Sequence, residues 1–563
     1  MSIDWERSAP VSARTEDAAR VNRIDTVDAV VVGAGFAGLY AVYKLRSLGL
    51  TVRGIETAAG VGGTWYWNRY PGARCDVESV DYSYSFSPEL EQEWNWSEKY
   101  ATQPEILAYI NHVADRFDLR DHFLFETRVT SAELDEESLR WEVRTDRGDV
   151  LTARYCIFAT GALSTANMPN IPGRESFSGD THHTGHWPHE GVDFTGKRVG
   201  VIGTGSSGIQ SIPLIAEQAD HLYVFQRSAN YSVPAGNMSW DDEMRRAIKA
   251  GYAERRRLSR ESGGGSPYNA HPKSALEVSE EERRAAYEER WKLGGVLFAK
   301  TFPDQTKTDA ANATAREFAE QKIRRLVDDP AIAEKLIPND HPIGTKRIVT
   351  DTHYFETYNR PNVTLVDLKE TPIESITPSG ISTTGTEYTL DTLVFATGFD
   401  AMTGALDRMR IVGRAGVSLA EYWSEGPKTY LGVGVPGFPN MFVVTGPGSP
   451  SVLANMVLGA EQHIDWIAAC IEHLWEKDHD AIEATVPATD RWVQHCRELA
   501  SATLFPLANS WYMGANIPGK PRVFMPYIGG FGAYGKILAE VADDGFRGFD
   551  FCRSRTRLAD RVG

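Results

Sequence analysis

At 563 residues the chain exceeds what one hydrophobic core usually holds, so two or three domains are expected, and 42% apolar residues is ordinary for a soluble globular protein. Fifty-nine lysines and arginines stand against 76 acidic residues, a formal charge of -17. That balance argues against nucleic acid or an anionic membrane surface as partner, because both need clustered positive charge. Cys75, Cys156, Cys470, Cys496 and Cys552 are odd in number, scattered and never spaced CxxC, so neither a disulfide framework nor a metal site is expected.

Residues 1–26 are polar and charged without the apolar segment of an export signal, and no apolar run is long enough to span a bilayer. A soluble protein of the reducing cytoplasm is expected. From Asp28 the run DAVVVGAGFAGLYAVYKL reads as a β-branched strand, a glycine-rich turn and an apolar helix. Gly33, Gly35 and Gly38 give the GxGxxG spacing, in which missing side chains let backbone N–H groups reach a pyrophosphate at a helix N-terminus. Alone the pattern is weak. Here it follows VVV, opens a helix, and is answered about 20 residues on by Glu56, placed for ribose hydroxyls.

The apolar strand RYCIFATG closes on Gly161, and a second unit, KRVGVIGTGSSGIQSIPLI, starts at Lys197 with Gly203, Gly205 and Gly208. Its later strand ends in Gln226, Arg227 and Ser228, where a ribose-binding carboxylate would otherwise stand. A carboxylate would repel a 2′-phosphate, whereas Arg227 and the Ser228 hydroxyl attract one, so this unit should prefer NADPH and the first should hold FAD. A lone arginine after a strand is also an ordinary surface residue.

Residues 239–336 turn charged and helix-favouring, with a Ser279/Glu282 capping box. Their charge runs are expected to be solvated helix faces, and ESGGGSPYN a flexible loop. DTLVFATGF, ending at Phe399, repeats the ATG of the earlier strand. The expected fold is α/β, with two Rossmann-like dinucleotide-binding domains and a helical insertion. Its boundaries are residues 1–150 and 389–563 for the FAD domain, 151–235 and 337–388 for the NADP domain, and 236–336 for the insertion. Two nucleotides imply hydride transfer from nicotinamide to flavin. With no redox cysteine pair, dioxygen is the obvious next acceptor.

The stretch FSGDTHHTGHWP at 177–188 resembles the FxGxxxHTxxW(P/D) fingerprint of Baeyer-Villiger monooxygenases, matching at Phe177, Gly179, His183, Thr184, Trp187 and Pro188. GGTWYWNRYPGARCD at 62–76 resembles that family's other signature through Gly63, Trp65, Tyr70, Pro71, Gly72 and Asp76. The resemblance runs on through GTKR, GPGSPSVLANM and SWYMGANIPGK, and is closest to the phenylacetone and steroid monooxygenase branch. Within the fingerprint, His183 and Trp187 also suit packing at a domain junction.

The resemblance implies that NADPH reduces FAD, dioxygen forms a C4a-peroxyflavin, and this converts a hydrophobic ketone into an ester or lactone. Arg347 matches the family's catalytic arginine and Asp76 the acid that pairs with it. A guanidinium suits the task because it stays charged and donates at fixed angles. For FAD the resemblance implies Phe36, Glu56, Gly63, Thr64, Trp65, Trp67, Asp76, Tyr82, Val129 and Met456. For NADP it implies Arg74, Cys75, Thr204, Ser206, Ser207, Gln210, Arg227, Ser228, Lys346, Arg347 and Trp511, the last having a core aromatic as its alternative reading. Val77, Leu163, Ser451, Val452, Leu453 and Met456 are expected to line the substrate pocket. An N- or S-oxygenating flavin monooxygenase, an NADPH oxidase and a redox sensor without turnover are the competing readings. A monomer is expected, with a homodimer as the alternative.

Overall fold

In the computed structural model, which describes residues 24–554, the VVV run lies in the strand Ile24–Val32 inside an eight-stranded sheet. Parallel neighbours flank it, Val52–Ile55 on one side and Val150–Phe158 on the other. Ala29, Val30 and Val31 are wholly buried, as a parallel strand covered on both faces requires. The polar segment expected at 1–26 lies almost entirely outside the described residues.

One face of this sheet is covered by the helix Phe36–Ser47, which packs on the long helix Met456–Glu476. An antiparallel ribbon, Val129–Asp135 with Arg140–Thr145, extends the sheet beyond Val150–Phe158. The late strands Met441–Val443 and Arg410–Val412 return to the same sheet, so this unit is built from both ends of the chain.

The second unit is a five-stranded, wholly parallel sheet in the order Val363–Asp367, His221–Gln226, Arg198–Ile202, Thr392–Phe395 and Asp180–His183. Two expected boundaries move. The break at 150/151 falls inside the strand Val150–Phe158, whose pairing with Ile24–Val32 keeps it in the first sheet. The break at 388/389 precedes Thr392–Phe395, whose pairing with Arg198–Ile202 keeps it in the second. Both crossings therefore fall at the two ATG tripeptides.

The insertion forms its helices at Asp242–Glu261, Glu280–Leu293, Asp309–Leu326 and Pro330–Leu336. Ser279 caps the second of these by accepting from the Glu282 N–H at 3.1 Å. The expectation of solvated charge runs fails at Arg255 and Arg256. Arg255 donates to both Asp81 oxygens and to Glu78, and Arg256, 3% exposed, donates to Glu91 and Ser83. Elsewhere it holds: Arg257 lies exposed between Glu254 and Glu261 of its own helix, and Arg246, Arg260, Glu280, Glu281 and Glu282 are exposed as well. The expected flexible loop is pinned as well: Asn455 N–H donates to the Gly264 carbonyl, and the Tyr268 hydroxyl to Glu78 at 2.5 Å.

Candidate active site

Both glycine turns are built the same way. At Gly33 (φ +108°) a Cβ would stand 2.6 Å from the Ala159 carbonyl oxygen, and at Gly203 (φ +111°) one would stand 2.4 Å from that of Ala396. Ala159 and Ala396 open the two ATG tripeptides, which explains the repeat: each backs a nucleotide turn. Gly38 and Gly208 press on the carbonyls of Gly33 and Gly203 in turn, so only the absent side chain allows helix to meet strand. The middle glycines face space, with nothing within 4 Å of a Cβ at Gly205 and only Gly63 near Gly35. The helices that follow, Phe36–Ser47 and Ser206–Gln218, carry no side-chain cap, so their first N–H groups remain available to a pyrophosphate. Both cradles fit a dinucleotide.

Around the first cradle, Glu56 is 6% exposed and accepts from the Ala34 and Ala58 N–H groups at 2.7 and 2.8 Å, which holds it at the turn. Gly63 (φ +54°) starts the short helix Thr64–Trp67. Trp65 donates from Nε1 to the Tyr82 hydroxyl at 3.2 Å, and Phe36 meets the Tyr82 ring edge-on at 5.2 Å. Val129 is buried in the sheet's own core.

The loop after this helix reaches the second unit. A Cβ on Gly72 (φ +79°) would lie 2.4 Å from the Gln210 carbonyl oxygen, so the backbones are in contact there. Tyr70 donates its hydroxyl to Gln210 Oε1 at 2.8 Å, and Gln210 Nε2 donates to the Arg74 carbonyl at 3.2 Å. The Arg74 guanidinium itself turns to the Tyr100 carbonyl and to Glu98. Cys75 is buried, and burial together with the neighbouring Asp76 pushes its thiol up, away from reactivity.

At this junction Arg347 meets Asp76 in a two-pronged ion pair, Nε to Oδ2 at 2.6 Å and Nη2 to Oδ1 at 2.7 Å, while Nη1 donates to the Val452 carbonyl at 2.7 Å. Burial alone would lower the arginine's pKa, but the charge of Asp76 and its hydrogen bonds hold it above the ordinary value. Tyr512 is buried close enough for Arg347 to act on its hydroxyl. Lys300 also lies near, and burial followed by the charge of Arg347 lowers its pKa.

Leu163, Val452, Leu453, Met456 and Trp511 gather in one apolar cluster with Tyr512 beside the ion pair. Val77 is apart from it, packed on the core of the first unit. Ser451 is turned to the backbone, donating to the Thr445 carbonyl at 2.8 Å. Sequence reasoning passed over Tyr512, although it adjoins Trp511 in SWYMG, and over the Val452 carbonyl, which no side-chain motif announces.

Part of the fingerprint forms an edge strand, Asp180–His183, of the second sheet. Thr184, fully buried, places its hydroxyl 3.0 Å from that of Ser207 at the second cradle. His183 accepts from the Gly185 N–H through its ring nitrogen, and Trp187, 3% exposed, donates its backbone N–H to the Trp67 carbonyl at 3.3 Å. Phe177 packs on the second unit's core, and a Cβ on Gly179 would meet the Asp391 carbonyl at 2.3 Å. Burial and His186 push His183 down to about 4, so it is neutral at working pH.

On the far side of the second cradle, Thr204 donates to the Ser228 carbonyl at 2.9 Å. Lys346 turns away from Arg347 toward Asp340, Nζ to Oδ1 at 3.6 Å, and lies close enough to Arg227 for the two charges to oppose each other.

Two dinucleotide cradles converging on one guanidinium–carboxylate pair define an oxidoreductase that handles two nucleotides. The pyridine nucleotide-disulphide oxidoreductase family model matches residues 30–251, which covers both cradles. All five cysteines are free thiols, so the likeness lies in the nucleotide folds. A Baeyer-Villiger monooxygenase of Pseudooceanicola batsensis is 45% identical across 95% of this chain and 97% of its own. A phenazine N-monooxygenase of Lysobacter antibioticus is 44% identical across 93% and 96%. The solved structure of an oxidised steroid monooxygenase bound to NADP is 67% identical, with a TM-score of 0.91, across 94% of this chain and 100% of the other. The chain belongs to the Baeyer-Villiger monooxygenase family. It is an FAD- and NADPH-dependent monooxygenase with the family's two nucleotide domains.

Proposed function

We propose that the chain inserts oxygen beside the carbonyl of a hydrophobic ketone, with Arg347 as the catalytic residue and Asp76 as its positioning partner. The observation that carries this reading is the guanidinium fixed on three acceptors beside an apolar cluster, at the meeting of the two units. Bound FAD, reduced by NADPH, supplies the activated oxygen. The chain's own residues supply charge, orientation and exclusion of water. Arg347 faces the negative charge that develops on the ketone oxygen, and Asp76 keeps the fork at one angle. Leu163, Leu453, Met456 and Trp511 receive the apolar body of the ketone and keep water out. Asp76, Trp65, Tyr82 and Glu56 serve the flavin side, and Arg227, Ser228 and Lys346 the 2′-phosphate of NADPH. Four of the five thiols are buried and all are free, which supports a reducing compartment such as the cytoplasm.

The N-monooxygenase among the relatives favours a second reading, oxygen transfer to a ring nitrogen. The two part in one assay. With NADPH and air, a panel of cyclic and aryl ketones, amines and sulfides is screened by product chromatography against peroxide yield. The proposal expects ester or lactone in near-stoichiometric proportion to NADPH consumed with at least one apolar ketone. N-oxide or sulfoxide as the only coupled product would overturn it, and peroxide alone would mark an oxidase.

A further inference from the structure

The second cradle holds two charged groups that the reading above does not use, Lys369 and Asp340. Two loops of the parallel sheet meet at the carboxyl ends of adjacent strands, the customary place for a ligand in such a sheet. Arg227 follows His221–Gln226, and Lys369 follows the adjacent strand Val363–Asp367, with its Nζ on Asn339 Oδ1 at 3.0 Å. Lys346 completes a trio of cations, since both Arg227 and Lys369 act on its charge. Asp340 sits among them. Its Oδ1 is 3.6 Å from Lys346 Nζ and 2.5 Å from His341 Nδ1, and the Ser228 hydroxyl is near enough to help lower its pKa.

The carboxylate is held ionised well below its ordinary range, first by the His341 hydrogen bond and then by Lys346. Lys346 in turn is lowered by burial and by its cationic neighbours, with Asp340 the group that opposes them. The His341 side chain is 1% exposed, and its Nε2 has no partner among the described residues, so its one strong contact is the carboxylate. Asp340 is itself about a third exposed, and so is reachable by a ligand. Three cations and one carboxylate leave a surplus close to the charge of a phosphate dianion.

We propose that Asp340 is the resident counter-ion of this pocket and sets its discrimination between 2′-phosphorylated and unphosphorylated dinucleotides, an inference that rests on Arg227 and Lys346 receiving the 2′-phosphate. With no phosphate present, the carboxylate neutralises Lys346. A 2′-phosphate competes with it for the same ammonium and is repelled by it. A bare ribose 2′-hydroxyl, by contrast, donates a hydrogen bond to it. Asp340 therefore limits the affinity for NADPH and leaves a residual foothold for NADH.

The test uses FAD-loaded protein and two probes, adenosine 2′,5′-bisphosphate and 5′-AMP, titrated by calorimetry, with kcat/KM for NADPH and NADH alongside. Asp340→Asn should bind the bisphosphate about three- to tenfold more tightly and 5′-AMP several-fold more weakly. Tighter NADPH and weaker NADH kinetics should follow. Weaker bisphosphate binding, or an unchanged ratio between the probes, would overturn the proposal and leave Asp340 as a group that only orients Lys346. Arg227→Ala and Lys346→Ala should each collapse the probe ratio by about tenfold or more. If neither does, the 2′-phosphate assignment fails. If both do while Asp340→Asn leaves the ratio alone, only the counter-ion role fails. Asp340→Ser, which also removes the charge, gives the same readings if the amide variant fails to fold.

Discussion

Arg347 commits three of its N–H donors to Asp76 and the Val452 carbonyl, which leaves two for a reacting oxygen. The pair is about a quarter exposed, so its stabilising effect on the fold is modest, and its value lies in holding an angle. Asp76→Asn keeps the shape but loses the charge. It should lower the rate of ester formation by about 10- to 100-fold while NADPH consumption falls far less, read by chromatography against absorbance. Equal losses in both would mean that Asp76 serves reduction. Arg347 and Asp76 were legible because each lies inside a long motif in register. Tyr512 and Asp340 were not, since nothing in SWYMG announces that a hydroxyl will turn toward an arginine brought from elsewhere in the chain, and nothing in PNDHP that a carboxylate will turn toward the lysine six residues on.

The nucleotide units were legible at the scale of elements, because a strand, three glycines and a helix are local features with a 2-to-3.6 change of period. Strand membership was not. Residues 151–158 and 392–395 were assigned to the wrong sheets, since which sheet a strand joins is decided by pairing with residues far away in sequence. The insertion misled in the same manner: an arginine run reads as solvated until Asp81 and Glu91 are brought beneath it. Asn455 shows the converse, a local device with a distant tie. It caps the helix Met456–Glu476 by accepting from Val457 and Leu458, donates to the Asp81 carbonyl at 2.6 Å, and gives its N–H to Gly264. Asn455→Ala should cost about 1 to 2 kcal/mol from the lost cap and the unpaired carbonyl, seen as a drop of a few degrees in Tm. No change in Tm would show that the cap is dispensable.

Across the whole molecule, two buried histidines link acidity to stability. Burial pushes both His183 and His463 down to about 4, against about 6.5 in an unfolded chain. Their pKa values fall on folding, so the stability they contribute is complete above about pH 6.5 and is lost as pH falls toward 4. His463 accepts from the Thr445 N–H and reaches the Tyr534 hydroxyl at 2.7 Å. His463→Gln should therefore be less stable than the parent at pH 7.5, with a gap that narrows by about 2 kcal/mol at pH 5, measured by thermal or urea unfolding. A gap that stays constant would mean the ring titrates normally.

The two nucleotide units, the junction loop and the apolar cluster all converge on the Arg347 charge, and its removal is the most direct test. Arg347→Ala, loaded with FAD and given NADPH, air and a ketone the parent oxygenates, should still bleach its flavin at a rate within about tenfold of the parent, yet form under about 1% of the ester. Normal ester yield from that variant would contradict the account.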